Sequence, residues 1–212
     1  SIYQRVMELA QIAHPRFRNA LIEEAKARGY IFPDQLPPAS EDLIFLEDYK
    51  VSVELKNGKT VLFRPLLPSD EFAYRNFFYS LRKETIYRRF FYEKKIFSHE
   101  MIQGQYADVD YRRNMFLIGL VQKKRHQQIV AIGTYLDSGG GLAEVAFVVR
   151  EDYQGMGLAS SLLEQLERIA QKTGFTGFTA TTLRENASMC HVFKKRYPNA
   201  AFRYEGSEIE IV

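Results

Sequence analysis

The chain has 212 residues, of which 46% are hydrophobic and 26% are charged, and its formal net charge is +3. These proportions are those of an ordinary globular protein, and the length allows one large core with a smaller appendage. A charge this small gives no case for nucleic acid binding. Cys190 is the only cysteine, which excludes an intramolecular disulfide and a cysteine-based metal site and suits a reducing cytosol. We therefore expect a cytoplasmic protein without a metal ion.

No membrane segment is expected, because the longest uninterrupted apolar run, residues 115–121, is far too short to span a bilayer. The sequence also lacks the pattern of a signal peptide. It opens on Ser1 without a methionine and enters a helical pattern at once, so we interpret it as a piece of a longer protein.

Two short helices are predicted within residues 1–29, where apolar residues recur at helical spacing. Pro15 and Gly29 mark the start and the end of the second helix. His14, between the helices, is interpreted as a loop or cap residue rather than a catalytic group. The faces expected to be buried are Val6, Leu9, Ala10 and Ala13 in the first helix, and Phe17, Leu21, Ile22 and Ala25 in the second.

A linker is predicted next, because residues 32–50 contain three prolines followed by a run of acidic residues. A hairpin should follow it over residues 51–63, where apolar residues alternate on both sides of an Asn57-Gly58 turn signal. A helix is then predicted over residues 70–81, with Ser69 or Asp70 as its cap.

Residues 82–113 have an unusual composition, because arginines and aromatic residues are interleaved at positions 87–92 and again, with acidic residues, at positions 108–113. Such a segment can stack on nucleic acid bases. The commoner structural explanation is an aromatic helix face packed on a core, and it is the one that we favour. No nucleic acid partner is expected.

Three consecutive strands are predicted at residues 115–122, 129–136 and 142–149, separated by short polar or glycine-rich turns. Their short connections make them antiparallel. The elements expected after them are a helix at residues 157–172, a strand at 178–183, a helix at 186–196, and closing strands at 202–204 and 209–212.

The stretch from residue 142 to residue 172 organises the rest of the chain. A buried strand ends in charged residues, passes Gly155 and Gly157, and continues as an amphipathic helix. The two glycines allow a ligand to approach the backbone closely, and the helix presents unpaired N–H groups and its positive dipole end at the same point. This arrangement predicts a site for a phosphate or pyrophosphate.

Two common nucleotide-binding motifs do not fit this turn. A P-loop requires Lys followed by Ser or Thr after its last glycine, whereas Leu158 and Ala159 stand there. A dinucleotide fingerprint belongs to an early βαβ unit, with a further small residue and an acidic residue about 20 positions later. The alternative to a phosphate site is a plain connection between a strand and a helix.

The turn resembles the acyl-CoA-binding motif of the GNAT superfamily of N-acyltransferases. The matching pattern is Gln154-X-X-Gly157-X-Ala159, with Val149 and Tyr153 before it and Leu162-Leu163 after it. The resemblance covers roughly residues 51–212. It implies an α/β (α+β) GNAT fold, in which a mixed, mostly antiparallel sheet is flanked by helices, and acetyl-CoA as the acyl donor.

The resemblance also implies which residues hold coenzyme A. The backbone of the strand at residues 147–149 should pair with the pantetheine arm, and the N–H groups of residues 155–160 should bind the pyrophosphate. Asn186 resembles an asparagine that leads a helix near the pantetheine, although it is equally good as a simple N-cap. The expected contacts are Phe147, Val148, Val149, Gln154, Gly155, Met156, Gly157, Leu158, Ala159, Ser160 and Asn186.

Glu144 is our candidate for the general base. It is the acidic residue inside the apolar strand run, and burial there would raise the pKa of a carboxylate towards that of a useful base. GNAT relatives often carry a base glutamate at this place, whereas the alternative is an ordinary edge-facing carboxylate. Residues 87–91 together with Asp110 and Tyr111 resemble GNAT domains that acetylate protein lysines, which indicates a protein acceptor.

One position departs from the family pattern. Many GNAT enzymes carry a tyrosine seven residues after the asparagine, which protonates the leaving thiolate, but Phe193 occupies this position. Phenylalanine has no proton to donate, so the thiolate must leave unaided, through water or through a neighbour such as His191. The general acid stays unassigned.

The N-terminal residues resemble the C-terminal tail of acetyl-CoA hydrolase/transferase proteins, on residues 12–18, 23–25 and 30–31. This implies a parent chain in which a CoA-transferase domain precedes the acyltransferase. The domains are then a helical tail at residues 1–38, a linker at 39–50 and the GNAT domain at 51–212. The tail is expected to be dispensable for cofactor binding.

Two functions follow from these residues. The first is an N-acyltransferase that moves an acetyl group from acetyl-CoA to an amine, with a protein lysine as the expected acceptor and Glu144 as base. The second is a module that senses acyl-CoA for a fused CoA-transferase without turning it over. Glu144 favours the first function and Phe193 the second.

Overall fold

The predicted strands assemble into one eight-stranded sheet in a computed structural model, which describes residues 1–13, 15–37, 48–107, 111–123 and 126–212. His14, most of the predicted linker and Asp110 lie outside the described residues, so their predictions are not addressed. The strands are β1 Val51–Glu54, β2 Thr60–Pro65, β3 Met115–Lys123, β4 His126–Gly139, β5 Leu142–Val149, β6 Gly177–Leu183, β7 Phe202–Glu205 and β8 Glu208–Ile211.

The order of the strands in the sheet is β1-β2-β3-β4-β5-β6-β8-β7. Every neighbouring pair is antiparallel except β5 and β6. These two strands are parallel because the helix Leu158–Lys172 crosses between them. The predicted hairpin, the three antiparallel strands and the closing strands are therefore confirmed.

The described helices are α1 Ile2–Ile12, α2 Pro15–Ala27, α3 Glu71–Tyr79, α4 Lys83–Phe90, α5 His99–Ala107, α6 Leu158–Lys172 and α7 Ala187–Arg196. Bounds of α4 and α5 were not predicted, but the expected aromatic packing on a core is found, because Phe90 packs against Phe78 and Phe97. Asp70 is the N-cap residue of α3, as predicted, but its side chain makes no capping hydrogen bond. Its carboxylate instead accepts hydrogen bonds from the Arg64 guanidinium at 2.6 and 2.7 Å.

Helix α6 packs directly on the sheet, with Leu162, Leu163 and Leu166 fully buried. The close approach depends on Gly133 of β4, because a Cβ atom there would lie 2.9 Å from side-chain atoms of both Leu162 and Leu166. A side chain at position 133 would therefore push α6 away from the sheet. This contact fixes where the N-terminus of α6 points.

The N-terminal helices form a small apolar cluster of their own. Its buried members are Tyr3, Met7, Ala10, Ile22, Ala25 and Ile31. The predicted buried faces were partly wrong, because Leu9 is 54% exposed and Phe17 is 48% exposed, while Tyr3 and Met7 point inward. The buried face of α1 therefore differs from the sequence prediction, since α1 packs against residues 68–71 as well as against α2.

A buried polar network joins the N-terminal segment to α3 and α5. At its centre is the carboxylate of Glu71, which is fully buried. It accepts hydrogen bonds from the Tyr3 hydroxyl at 2.9 Å and from Gln103 Nε2 at 3.2 Å, and it lies 2.6 Å from His99 Nδ1. Gln35 connects Tyr3 and Gln103 through further hydrogen bonds. The N-terminal segment is thus docked on the sheet domain.

The part of the chain that is described contains no helix with the length and apolar character needed to cross a membrane.

We predict that Tyr3→Phe lowers the free energy of unfolding by about 1–3 kcal/mol, because it removes a donor from a buried carboxylate. Urea denaturation followed by circular dichroism measures this change. Tyr204→Phe is the matched control, since Tyr204 is 56% exposed, and it should change stability by less than about 0.5 kcal/mol. Equal stability of the two variants would contradict the proposed importance of the Glu71 network.

Candidate active site

The site is built where β5 and β6 diverge. These parallel strands are paired at Leu142–Gly177, Ala143–Phe178 and Glu144–Thr179. Beyond Glu144, β5 continues for five residues without a partner in β6, while β6 pairs with β8 on its other side. The two strands therefore enclose a wedge that opens towards the C-terminal end of β5, and Glu144 stands at its apex.

The backbone of β5 faces this wedge with free hydrogen-bonding capacity. The Arg150 N–H donates to the Val130 carbonyl of β4 at 2.9 Å. Because successive residues of a strand point their backbone groups to opposite sides, the backbone groups of Phe147 and Val149 face away from β4 and into the wedge. The Val149 carbonyl accepts from Gln154 Nε2, so an extended ligand can pair with both backbone groups of Phe147 and with the Val149 N–H.

The turn after β5 is shaped by Gln154 and Gly157. Gln154 Nε2 donates to the Val149 carbonyl at 2.8 Å, which folds the turn back over the end of the strand. Gly157, with φ of 88°, is in the left-handed region and is the N-cap of α6. It has no side chain that could cap the helix, so the first N–H groups of α6 remain available to a ligand.

A cavity of about 630 Å³ occupies the wedge and extends over this turn. Ten of the eleven residues predicted to contact coenzyme A line it. Those ten residues are Phe147, Val148, Val149, Gln154, Gly155, Gly157, Leu158, Ala159, Ser160 and Asn186. The turn motif, the strand before it and the asparagine after β6 thus converge on one site.

Met156 is the exception, because it does not line the cavity. Its side chain is half-buried against the core, and its sulfur accepts a hydrogen bond from Asn57 Nδ2 at 3.0 Å. Met156 thus fastens the β1–β2 turn to the loop before α6. This contact also places Lys56 beside Gly157, with its Cε atom 4.0 Å from an ideal Cβ position.

The cavity lining is strongly basic. Among the described residues that line it, Lys56, Arg88, Arg89 and Lys195 are cations and none is acidic. They come from the β1–β2 turn, α4 and α7, so no local sequence pattern could have grouped them. Together with the N-terminus of α6, they create a positive potential that fits a ligand with several phosphates.

Asn186 performs the structural role that was its alternative interpretation. Its side-chain oxygen accepts from the Met189 N–H at 3.3 Å and caps α7. It also lines the cavity beside Thr181 and Thr182 of β6. The two roles are compatible, because an amide oxygen has two lone pairs and its NH₂ group has two donors.

Glu144 is not buried, and the prediction that burial tunes it is wrong. Its side chain is exposed and lies just beyond the cavity lining, because it alternates along β5 with the buried Ala143 and Val145. Glu144 interacts electrostatically with Arg89. Burial lowers the pKa of the Arg89 guanidinium, while Tyr74 and Glu144 raise it. The carboxylate of Glu144 thus acts electrostatically on the buried guanidinium without forming an ion pair with it that the structure shows.

Glu151 positions part of the site, a role that the sequence did not reveal. Its carboxylate accepts from the Arg82 N–H at 2.8 Å and from the Thr85 hydroxyl at 2.5 Å. These bonds attach the start of α4 to the loop after β5 and position Arg88 and Arg89 over the wedge. Burial raises the pKa of Glu151, but the hydrogen bonds outweigh burial and leave that pKa below its ordinary value.

Phe193 lies in the core rather than in the cavity. It is 1% exposed and stacks on Phe147, with ring centroids 6.0 Å apart. The stack supports the strand at the wall of the wedge. His191, two residues earlier, lines the cavity and is exposed. Position 193, where the resemblance to GNAT enzymes leads one to expect a proton donor, is therefore apolar. The imidazole of His191 lies nearby.

A comparison with known protein families places this site in a class. The family model described as "Acetyltransferase (GNAT) family" matches residues 80–197, which include α4, the wedge, the turn and α7. The chain belongs to this family of acetyltransferases, which take the acetyl group from acetyl-CoA.

Relatives and solved structures agree with this assignment. An acetyltransferase of Pseudomonas aeruginosa is 32% identical over 136 residues, which cover 64% of this chain and 73% of that protein. The acetyltransferase Pat of Mycolicibacterium smegmatis is 29% identical over 141 residues, or 66% of this chain but 41% of that protein. The crystal structure of the GNAT domain of S. lividans PAT superposes with a TM-score of 0.68 at 25% identity, covering 77% of this chain and 96% of that domain.

The residues of the site fit acetyl-CoA. The cations and the N-terminus of α6 suit the phosphates of this donor, and the unpaired strand backbone suits its amide-containing arm. The donor supplies the acetyl group as a thioester. The fit includes residues that the sequence had not suggested, namely Lys56, Thr85 and Lys195.

We predict that Gly157→Asp weakens acetyl-CoA binding at least about tenfold, or ~1.4 kcal/mol. A side chain at this left-handed position would stand beside the ligand and repel its phosphates. Calorimetric titration measures the affinity. Gly174→Asp is the control, since Gly174 has a similar φ of 96° near the other end of α6. Similar losses of affinity in both variants would show that backbone strain alone is responsible.

We predict that Glu151→Gln destabilises the protein at neutral pH but not in acid. Folding lowers the pKa of Glu151. Its contribution to the free energy of unfolding is therefore fully present above the pKa of a glutamate in the unfolded state, about 4.3. That contribution is lost as the pH falls through the pKa of Glu151 in the folded state. Urea denaturation across pH 3–7 tests this, with the exposed Glu84→Gln as control. A stability difference that persists unchanged at low pH would contradict it.

Proposed function

We propose that this acetyltransferase moves the acetyl group of acetyl-CoA to the side-chain amine of a protein lysine, with Glu144 as the general base. The observation that carries the proposal is the place of Glu144 at the apex of the wedge. The paired part of β5 and β6 ends there, and the gap lined by the backbone of Phe147 and Val149 begins. A carboxylate at this point adjoins both the ligand cavity and the solvent.

The reaction requires that the amine lose a proton before it attacks. A lysine amine has a pKa of about 10.4 in water, so nearly every acceptor arrives protonated at neutral pH. Glu144 takes one proton from the ammonium group, directly or through a water molecule. The nitrogen then forms a bond to the carbonyl carbon and gives up a second proton, the carbon–sulfur bond breaks, and the departing sulfur takes up one proton, so that one proton remains on Glu144. Backbone N–H groups of β5 stabilise charge on the carbonyl oxygen.

The exposure of Glu144 supports a large acceptor. A base that solvent can reach is also accessible to a lysine carried on the surface of another protein. The segment at residues 87–91 resembles GNAT domains that acetylate protein lysines, and α4, which contains most of it, borders the cavity through Arg88 and Arg89. The cytoplasm is the expected location, because protein lysines and acetyl-CoA occur there together.

A second candidate function is an acyl-CoA sensor that serves an upstream CoA-transferase domain without turnover. The apolar position of Phe193 favours it, because no hydroxyl group is available there to protonate the leaving sulfur. The resemblance of residues 12–18, 23–25 and 30–31 to the tail of acetyl-CoA hydrolase/transferase proteins supports such a parent chain. In the catalytic alternative, His191 or water supplies the proton.

We predict that Glu144→Gln preserves acetyl-CoA binding and lowers acetyl transfer about 100-fold to 10,000-fold, as expected for loss of a general base. The deficit should shrink as the pH rises, because solvent then deprotonates more of the acceptor. Thiol release with lysine acceptors measures turnover across pH 6–10. Glu185→Gln, an exposed change outside the cavity, should leave the rate unchanged.

The outcome separates the two functions. Parent protein that binds acetyl-CoA but acetylates no lysine acceptor would support the sensor. A Glu144→Gln variant that acetylates as fast as the parent, with chemistry rate-limiting, would show that another group is the base.

A further inference from the structure

The positive charge of the chain is concentrated in the segment that contains α4, on one side of the site. Residues 79–96 contain six lysines or arginines and two glutamates, a net charge of +4, whereas the whole chain has a net charge of +3. Two of these cations, Arg88 and Arg89, line the cavity and face the ligand. Arg82, Lys83, Lys94 and Lys95 do not line it, so binding of the donor does not account for them.

Several of the remaining side chains form one surface, which we call the basic aromatic patch and define as Tyr79, Tyr92, Lys94, Lys95 and Ile96. It is assembled around the buried Phe97. The ring of Tyr79 packs edge-on against Phe97 at 5.5 Å, and its hydroxyl accepts the Phe97 N–H at 3.1 Å. Lys94 Nζ lies 5.7 Å from the centre of the Tyr92 ring and 5.8 Å from that of Phe97.

The patch is open to solvent. Tyr79 and Tyr92 are more than half exposed, and Ile96 is 73% exposed. The side chain of Lys95 is 76% exposed and lies 3.6 Å from the Glu93 carboxylate, a solvent-exposed ion pair that is weak enough for a partner to replace. Exposed tyrosines beside cations are typical of protein interfaces, because aromatic rings supply contact area at low entropic cost and the cations select a partner by charge. A cluster of this composition is more than the scattered apolar residues of an ordinary surface.

The patch is continuous with the active site through α4. Arg88 and Arg89 line the cavity, and the next residue, Phe90, packs against both Tyr92 and Phe97 under the patch. Arg89 is also the cation that interacts electrostatically with Glu144. A protein whose lysine reaches Glu144 from this side would therefore lie against the patch.

We propose that the basic aromatic patch docks an acidic face of the acceptor protein, so that the enzyme selects lysines flanked by aspartate or glutamate. This inference rests on the proposed function and adds the class of acceptor to it. Complementary charge favours the encounter and suppresses basic partners, and its effect weakens as salt screens the charges. The tyrosines and Ile96 supply the apolar contact that remains when salt is high.

The test uses three blocked peptides that share one lysine and differ in its flanking residues, which are glutamate, glutamine or arginine. Binding is measured by fluorescence anisotropy with coenzyme A present, and acetylation by thiol release with acetyl-CoA. We expect the acidic peptide to bind, and to react in kcat/KM, at least about tenfold better than the basic one at low salt. The preference should fall as the salt concentration rises.

Charge-reversal variants test whether the lysines of the basic aromatic patch cause the preference for the acidic peptide. Lys94→Glu with Lys95→Glu should reverse the order of the three peptides, and Lys94→Gln with Lys95→Gln should flatten it. The control is Lys123→Glu with Lys172→Glu, two exposed lysines outside the cavity and the patch, which should keep the preference of the parent. Because Lys94 packs on aromatic rings, thermal unfolding of each variant verifies that it is folded.

The two readouts distinguish failure of this inference from failure of the proposed function. Equal binding of the three peptides, or a preference that survives charge reversal in a folded variant, would overturn the docking proposal even if lysines are acetylated. Selective binding of the acidic peptide without acetylation would leave the patch as the docking surface and contradict lysine transfer.

Discussion

The divergence of β5 and β6 is the constraint on which the rest of the site depends. Backbone N–H and C=O groups need partners when they are removed from water, so a gap in a sheet persists only where something else satisfies them. Here the gap begins after the Glu144–Thr179 pair, and its wall is supported by the stack of Phe147 on the buried Phe193. An apolar ring at position 193 is therefore useful to the architecture even though it has no proton to give.

The other parts of the site are positioned around this gap by separate contacts. Gly133 allows α6 to lie close to the sheet, so the N-terminus of the helix points at the open end of the wedge. Glu151 attaches the start of α4 to the same loop, which places two arginines over the opening. Met156 and Asn57 fasten the β1–β2 turn, and Lys56 with it, beside Gly157. Each contact is modest, but together they gather cations from two distant segments, the β1–β2 turn and α4, around a single anion-binding helix end.

The carboxylates near the site have different duties because their surroundings differ. Glu151 is held by two hydrogen bonds and serves structure, whereas Glu144 is exposed at the apex and is available to an acceptor. Glu71, a carboxylate away from the site, is fully buried. It joins the N-terminal segment to α3 and α5 through Tyr3, His99 and Gln103. Removing the N-terminal helices would leave a buried charge short of partners, which is costly.

The sequence by itself determined the local features. Turn glycines, caps and alternating apolar residues act over a few positions, so the strands from 115 to 149, the Gly155–Gly157 turn, α6 and the Asn186 cap were predicted within a few residues of their bounds. Only the tertiary structure decided the rest. These features are whether Glu144 is buried, whether Met156 faces the cavity, which faces of the first two helices point inward, and that Lys56 and Lys195 line one cavity. All of them depend on contacts between residues far apart in sequence. Such contacts leave no periodic pattern in the chain, because each follows from how whole elements pack rather than from the neighbours of one residue.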